Sequence, residues 1–361
     1  MSSMGFHHEL HIASLAVQRA SIVTKHMQSV QDKGSRDKED ASPVTVADFA
    51  AQAILIGIVK HHFPNDHVIG EESASALRQD PGLIKRVWEL VTLGLDGVDD
   101  QKEHDEILQT MPSSPDEMLE MIDLGGAGGH EDDMTRAWIL DPIDGTKTFV
   151  RGQQYAVSLA LVEDGEQKLG VVGYPNMAYS DATSAERLMM TEDGVDVTGY
   201  GTLLSAVKGQ GAFQRPMTGG MCLHMAEPLI QSSVNKTELV FVEATASPYI
   251  AQDKHAAIRA QLQATAPFVD LWSMQTKYGA LSVGAGNAMV RIPREKDYCP
   301  WVWDHAGGML VYEESGGKLT DLDGRPFNYA RGRRLMDNFG VVATLPQFHD
   351  RLLEVARQFL D

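Results

Sequence analysis

Apolar residues recur at helical spacing from His11 to Val30, where Ile12, Leu15, Ala16, Val23 and Met27 share one face, so a packing helix is predicted there. A second helical stretch runs from Ala47 to His62 and has to end before Pro64, and Val68 to Gly70 reads as a short strand. The unbroken apolar run Ala137 to Leu140 suits a buried strand. Tyr155 to Val162 and Lys168 to Tyr174 flank Asp164 and Gly165, the signature of an antiparallel hairpin. Short strands follow near Leu203 to Lys208 and Ala212 to Gln214. The pattern then alternates: strand near Leu239 to Val242, helix Gln252 to Ala264, strand Phe268 to Leu271, helix Lys277 to Gly284, strand Ala288 to Ile292. Asp304 is placed to open a further helix, Val341 to Ala343 reads as a strand, and an amphipathic helix from Pro346 to Leu360 closes the chain. These elements describe an α+β lobe over residues 1–200 followed by an α/β lobe over 201–361.

Two stretches break the pattern. Gln31 to Asp40 is charged and contains glycine, so a mobile loop is expected that leads to Asp48 and is placed to cover a site. Leu95 to Arg136 is acidic and glycine-rich, with DGVDDQKEHDE and GGAGGHEDD around a helical candidate at Pro115 to Ile122. It lacks the ligand alternation of a calcium loop, and most of it is read as a surface insertion, with local disorder. His7, His8 and His11 have no Cys or acid to complete a zinc set and are assigned no function.

Thirty-one basic against fifty acidic side chains leave a formal charge of −19. Such a chain repels nucleic-acid polymers and anionic membranes, and it binds a phosphorylated metabolite only if metal ions and a few placed cations reverse the local sign. No stretch is long and apolar enough for a bilayer, and the N-terminus lacks the pattern of a secretion signal, so a cytoplasmic location is expected. Cys222 and Cys299 are too few for a disulfide scaffold and are expected to be buried or inert.

The chemistry gathers at Trp138 to Thr146, WILDPIDGT. Pro142 fixes φ where the chain leaves the strand, and Asp141 and Asp144 supply hard oxygen ligands of the kind Mg²⁺ shares with phosphate. Gly145 lets the backbone come close to a ligand, and a helix from Thr146 would aim free N–H groups at an anion. Other acid-bearing element ends are VIGEES at Val68 to Ser73, SPVTVADF at Ser42 to Phe49 and WVWDHAGG at Trp301 to Gly308. Taken singly, each has a plain structural reading: Asp48, Thr146 and Asp304 as helix caps, Glu71 and Glu72 as a solvated turn.

The set VTVADF, GEES, DPIDGT and WDHAGG, in this order, resembles the lithium-sensitive, Mg²⁺-dependent phosphatases of the inositol monophosphatase superfamily. Within it, the wording of DPIDGTKTFVRGQQYAVSLALVEDG is most similar to the fungal and plant 3'(2'),5'-bisphosphate nucleotidases. The resemblance implies a layered αβαβα fold of two lobes with the site between them. It implies a nucleotide as small-molecule partner and two or three Mg²⁺ ions; a monomer is expected. Glu71, Asp141 and the Ile143 carbonyl would hold one ion, and Asp141, Asp144 and Asp304 another. Water would attack the phosphate monoester directly, with Asp48 and Thr146 accepting or relaying its proton.

For the substrate, the resemblance points to Gly145, Thr146, Ser273, Lys277 in QTKYG and Arg291 in VRIP; ordinary surface charge remains open for both cations. Two departures stand out. VEATASPY at Val242 to Tyr249 leaves Ala246 where a His is usual, and Met274 falls where a Ser pairs with the Lys, with Ser273 adjacent. An inositol phosphate phosphatase and a non-catalytic nucleotide- or metal-binding paralogue are the alternatives.

Overall fold

The computed structural model describes residues 5–30, 33–37, 43–93, 108–130, 134–180, 190–229 and 237–360. In chain order the elements are α1 (His7–Ser29), β1 (Arg36–Asp37), β2 (Pro43–Val44), α2 (Val46–His62), β3 (His67–Gly70), α3 (Pro81–Val91) and α4 (Pro115–Ala127). There follow β4 (Arg136–Asp144), α5 (Thr146–Val150), β5 (Ala156–Glu163), β6 (Glu166–Tyr174), β7 (Thr202–Val207), β8 (Ala212–Pro216) and β9 (Glu227–Pro228). The remainder comprises β10 (Val242–Glu243), α6 (Gln252–Gln261), β11 (Val269–Asp270), α7 (Met274–Ser282), β12 (Ala288–Arg291), α8 (Ala306–Glu314), β13 (Lys318–Thr320), β14 (Val341–Thr344) and α9 (Pro346–Arg357).

Strands β3 to β9 form one seven-stranded sheet in sequential order, antiparallel except for the β3–β4 pair. The strands alternate faces as period two requires. Val157, Leu159 and Leu161 of β5 join the core under α1 and α2, whereas Ala160 and Val162 face the segment around Val302 and Trp303. Asp164 and Gly165 both adopt positive φ (51° and 76°), which the tight turn between β5 and β6 demands. The sheet's second face is covered by α7 and α8, which in turn pack on the antiparallel sheet β12–β14–β13. In β14, Val341 and Ala343 face this inner helical layer, while Val342 faces α6 and α9. The layers are therefore αβαβα. The lobe boundary placed near position 200 falls between β6 and β7, neighbouring strands of one sheet.

The helical candidate at Pro115 to Ile122 is α4, but its placement differs from the sequence reading. The surface insertion expected there is in part core: α4 packs on α2, with Met118, Leu119 and Ile122 buried. Its glycines serve close approach, since a Cβ at Gly126 would stand 2.7 Å from the Glu72 carbonyl oxygen. The acidic run at 96–106, the 131–133 end of GGAGGHEDD and half of the loop at 31–40 lie outside the described residues. Cys222 is exposed and Cys299 partly so, so of the expected buried or inert thiols neither is a buried one. No helix among the described residues is long and apolar enough to cross a membrane.

Candidate metal and phosphate site

The site is built at the carboxyl ends of β3 and β4. A register shift between Asp141, opposite Ser158, and Asp144, opposite Ala156, puts Pro142 and Ile143 across from a single residue of β5. This bulge is what lets two aspartates three positions apart, which a regular strand would send to opposite faces, project together. Carboxylate oxygens of Asp141, Asp144 and Asp304 lie within 4.8 Å of one another. Glu71, one residue beyond β3, stands outside that trio, but its charge acts on all three.

Burial pushes the Asp141 carboxyl well above the usual range, helped by the charges of Glu71, Asp144, Asp304 and Asp48. Burial also raises Asp144 to about 6, against the pull of the Gln275 N–H, Lys277 and Ser273. Asp304 rises to about 8, again by burial first and then by Asp144 and Glu71. Asp141 Oδ1 is buried with no hydrogen-bond partner. Mutually repelling carboxylates with an orphaned oxygen, and no nitrogen or sulfur donor in the trio, fit a hard divalent cation.

Local sequence explains how each group is held. Thr45, not Asp48, is the N-cap of α2, and Asp48 completes the capping box from inside the helix. Its Oδ2 accepts from the Thr45 N–H (2.8 Å) and hydroxyl (2.6 Å), which leaves Oδ1 to accept from the Thr146 hydroxyl at 3.2 Å. That hydroxyl lies equally close to the Ile143 carbonyl, at 3.2 Å. Gly145, at φ 99°, is the N-cap of α5, so Thr146 is not a cap, and the expected helix is a single turn. A Cβ on Gly145 would stand 2.8 Å from Thr148 Oγ1 and 3.0 Å from Ser273 Cβ, so only glycine fits between them. Asp304 does not cap α8 either; His305 occupies that place.

Gln275, Gln52 and Arg333 were not singled out from the sequence. The Gln275 N–H donates to Asp144, while its side chain donates to the Trp303 carbonyl (2.8 Å) and accepts from the Gly308 N–H (2.8 Å). It joins the Asp144 and Asp304 segments. Gln52 grips the backbone of Glu72, accepting its N–H at 3.0 Å and donating to its carbonyl at 2.6 Å. The T-x-x-D box was a readable signal for Thr45; none marks the other three.

Of the residues expected to bind substrate, Ser273 and Lys277 act on Asp144, and Arg291 acts on Lys277. Lys277 is 4% exposed and donates to the Trp272 carbonyl at 2.8 Å, so it is not ordinary surface charge. Burial first, and Arg291 next, lower its pKa to about 7. Arg291 donates to the Tyr298 hydroxyl at 3.0 Å, and its Nε is buried without a partner. Ser273 caps α7 through the Thr276 N–H at 3.1 Å. Lys277, Arg291 and Met274 line a small cavity of about 30 Å³. Trp272 also borders a larger one of about 570 Å³ with Ala246, Phe268, Glu192 and Thr148. Both departures from the family wording thus border these cavities.

Residues 8–360 match the Inositol monophosphatase family. The chain belongs to this family. It is 40% identical over 361 residues to a 3'(2'),5'-bisphosphate nucleotidase of Emericella nidulans, with 99% of each chain covered. Identity to the 3'(2'),5'-bisphosphate nucleotidase of Schizosaccharomyces pombe is 35%, covering 97% of this chain and 95% of that one. Among solved structures it is similar to the extragenic suppressor protein suhB of Bartonella henselae (TM-score 0.60, 15% identity, 98% and 99% covered). It is also similar to CysQ from Bacteroides thetaiotaomicron, a bacterial member of the inositol monophosphatase family (TM-score 0.57, 16% identity, 95% and 99% covered). These two likenesses speak for the fold.

Proposed function

We propose that the protein is a Mg²⁺-dependent phosphatase that removes the 3'-phosphate of adenosine 3',5'-bisphosphate, giving AMP and phosphate, and that it also takes the sulfated analogue, 3'-phosphoadenosine 5'-phosphosulfate. The observation that carries this reading is the convergence of Asp141, Asp144 and Asp304, with Asp141 Oδ1 orphaned, in a chain similar along its whole length to nucleotidases. Glu71, Asp141, Asp144, Asp304 and the Ile143 carbonyl would hold two Mg²⁺ ions. When bound, such ions offset phosphate charge and ease the ionisation of water.

The chain's own part is positioning and proton transfer. Asp48 Oδ1 accepts from the Thr146 hydroxyl, so a proton that Thr146 takes from water is balanced by passing its own to Asp48. Lys277 and Arg291 would receive the 5'-phosphate, with Gly145 and Ser273 closing the wall beside Asp144 and the larger cavity beside Trp272 taking the nucleoside.

Phosphate release is expected from adenosine 3',5'-bisphosphate with Mg²⁺, with none under chelation and inhibition by Li⁺. Faster release from inositol phosphates would replace the substrate assignment, and nucleotide binding without turnover would make the protein a non-catalytic paralogue. Asp48→Asn keeps an oxygen for the capping box. It is expected to slow single-turnover hydrolysis by about 10²- to 10⁴-fold at unchanged Mg²⁺ affinity. Unchanged single-turnover hydrolysis with a lowered Tm would leave Asp48 only its capping role.

A further inference from the structure

Glu71 and Asp304 lie far apart in the chain, and no hydrogen bond described above joins their two segments directly. Arg333 reaches both. Its guanidinium donates to the Gly70 carbonyl at 2.8 Å, immediately before Glu71, and to the carbonyls of Gly125 (3.0 Å) and Gly128 (2.9 Å) at the end of α4. The same group lies over the ring of Trp303, 4.7 Å from its centroid and one residue before Asp304. Trp303 stacks on Trp301 at 4.6 Å, and Arg334 covers the Trp301 ring at 3.0 Å. The backbone completes the grip: the Arg333 carbonyl accepts from the Val302 N–H at 3.0 Å, and the Leu335 N–H donates to the Pro300 carbonyl at 3.0 Å. One residue therefore holds the Asp304 arm by its main chain and the Glu71 arm by its side chain.

We propose that Arg333 is a positioning residue that locks the Glu71 and Asp304 arms of the metal cage in register. A planar fork is needed to serve three carbonyls while lying over an indole, and a lysine ammonium cannot do both. The stem runs close past Gly129, where an added Cβ would stand 2.5 Å from Arg333 Cγ. Partners that orient metal ligands without touching the metal are worth about 10- to 100-fold in affinity.

The inference rests on the metal-cage reading above, so the test begins with that reading. Mn²⁺ binding, followed by electron paramagnetic resonance, is compared in the unsubstituted protein and in Asp141→Asn. If the unsubstituted protein binds no Mn²⁺, or Asp141→Asn binds it equally well, the cage itself fails. With the cage in place, Arg333→Met that is folded by circular dichroism is expected to bind Mn²⁺ at least about tenfold more weakly. Adding Glu71→Gln to Arg333→Met is expected to weaken binding less than Glu71→Gln alone, because the two act on one arm. Unchanged Mn²⁺ affinity with only a lowered Tm overturns the proposal. Should Arg333→Met fail to fold, the comparison is read on Arg333→Lys, which keeps the charge but not the fork; affinity equal to that of the unsubstituted protein overturns it there too.

Discussion

Asp141→Asn is expected to lower turnover of adenosine 3',5'-bisphosphate by about three orders of magnitude while raising the Tm of the metal-free protein. The two effects have one cause. Asp141 is 1% exposed and is pushed well above the usual carboxyl range by burial and by four neighbouring acids. Its position costs folding energy that a bound cation would offset. Asparagine keeps the shape, needs neither a buried charge nor a proton taken up on folding, and offers N–H donors to the remaining carboxylates. Metal stabilisation of a phosphoryl transition state amounts to several kcal/mol, and about 1.4 kcal/mol is a factor of ten in rate. Steady-state kinetics with Mg²⁺ and calorimetry under chelation read the two halves separately. Unchanged turnover would remove Asp141 from the chemistry, and a lowered Tm would mean that it stabilises the fold as an ordinary buried carboxylate.

The second large effect is on pH. With pKa values of about 6 for Asp144 and about 8 for Asp304, and Asp141 also raised, the metal-free site holds protons at neutral pH. Mg²⁺ has to displace them, so its affinity is expected to rise with pH by about tenfold per unit for each proton released, continuing through pH 8. The stability of the metal-free protein has the opposite slope. A carboxyl whose folded pKa is raised contributes stability that is full below its unfolded value near 3.8 and is lost as pH rises through its folded value of about 6 for Asp144 and about 8 for Asp304. Buried His255, lowered to about 4 chiefly by burial, acts in the other direction between about 4 and 6.5, so the raw curve mixes signs. Asp304→Asn removes this carboxyl together with its repulsion on Asp141, so its Tm advantage over the unsubstituted protein should grow from pH 6 to about pH 8. Mg²⁺ affinity that is flat over this range would contradict the assignment.

The elements with strong period or punctuation were readable from sequence. Strand β4, the Asp164-Gly165 turn and α2 fall close to where the pattern put them, because their signals are local. Other details are decided by tertiary packing. The Met118, Leu119 and Ile122 face was hidden among acids and glycines, yet it packs α4 against α2. Asp48 and Asp304 stand at helix starts and invite capping assignments, but Thr45 and His305 hold the cap positions. In the site itself, carboxylates announce chemistry by residue type alone, whereas Gln52, Gln275 and Arg333 act through main-chain groups brought to them by the fold. Nothing in their spacing records that. Lys277 shows the same limit, since its 4% exposure follows from the helix, sheet and loop around it rather than from the QTKYG segment.

The most direct measurement is anomalous diffraction from crystals of the protein grown with Mn²⁺ in place of Mg²⁺. The account predicts peaks between Asp141, Asp144 and Asp304, with Glu71 and the Ile143 carbonyl turned to the same ions. Full Mn²⁺ occupancy elsewhere, with these carboxylates left bare, would contradict it.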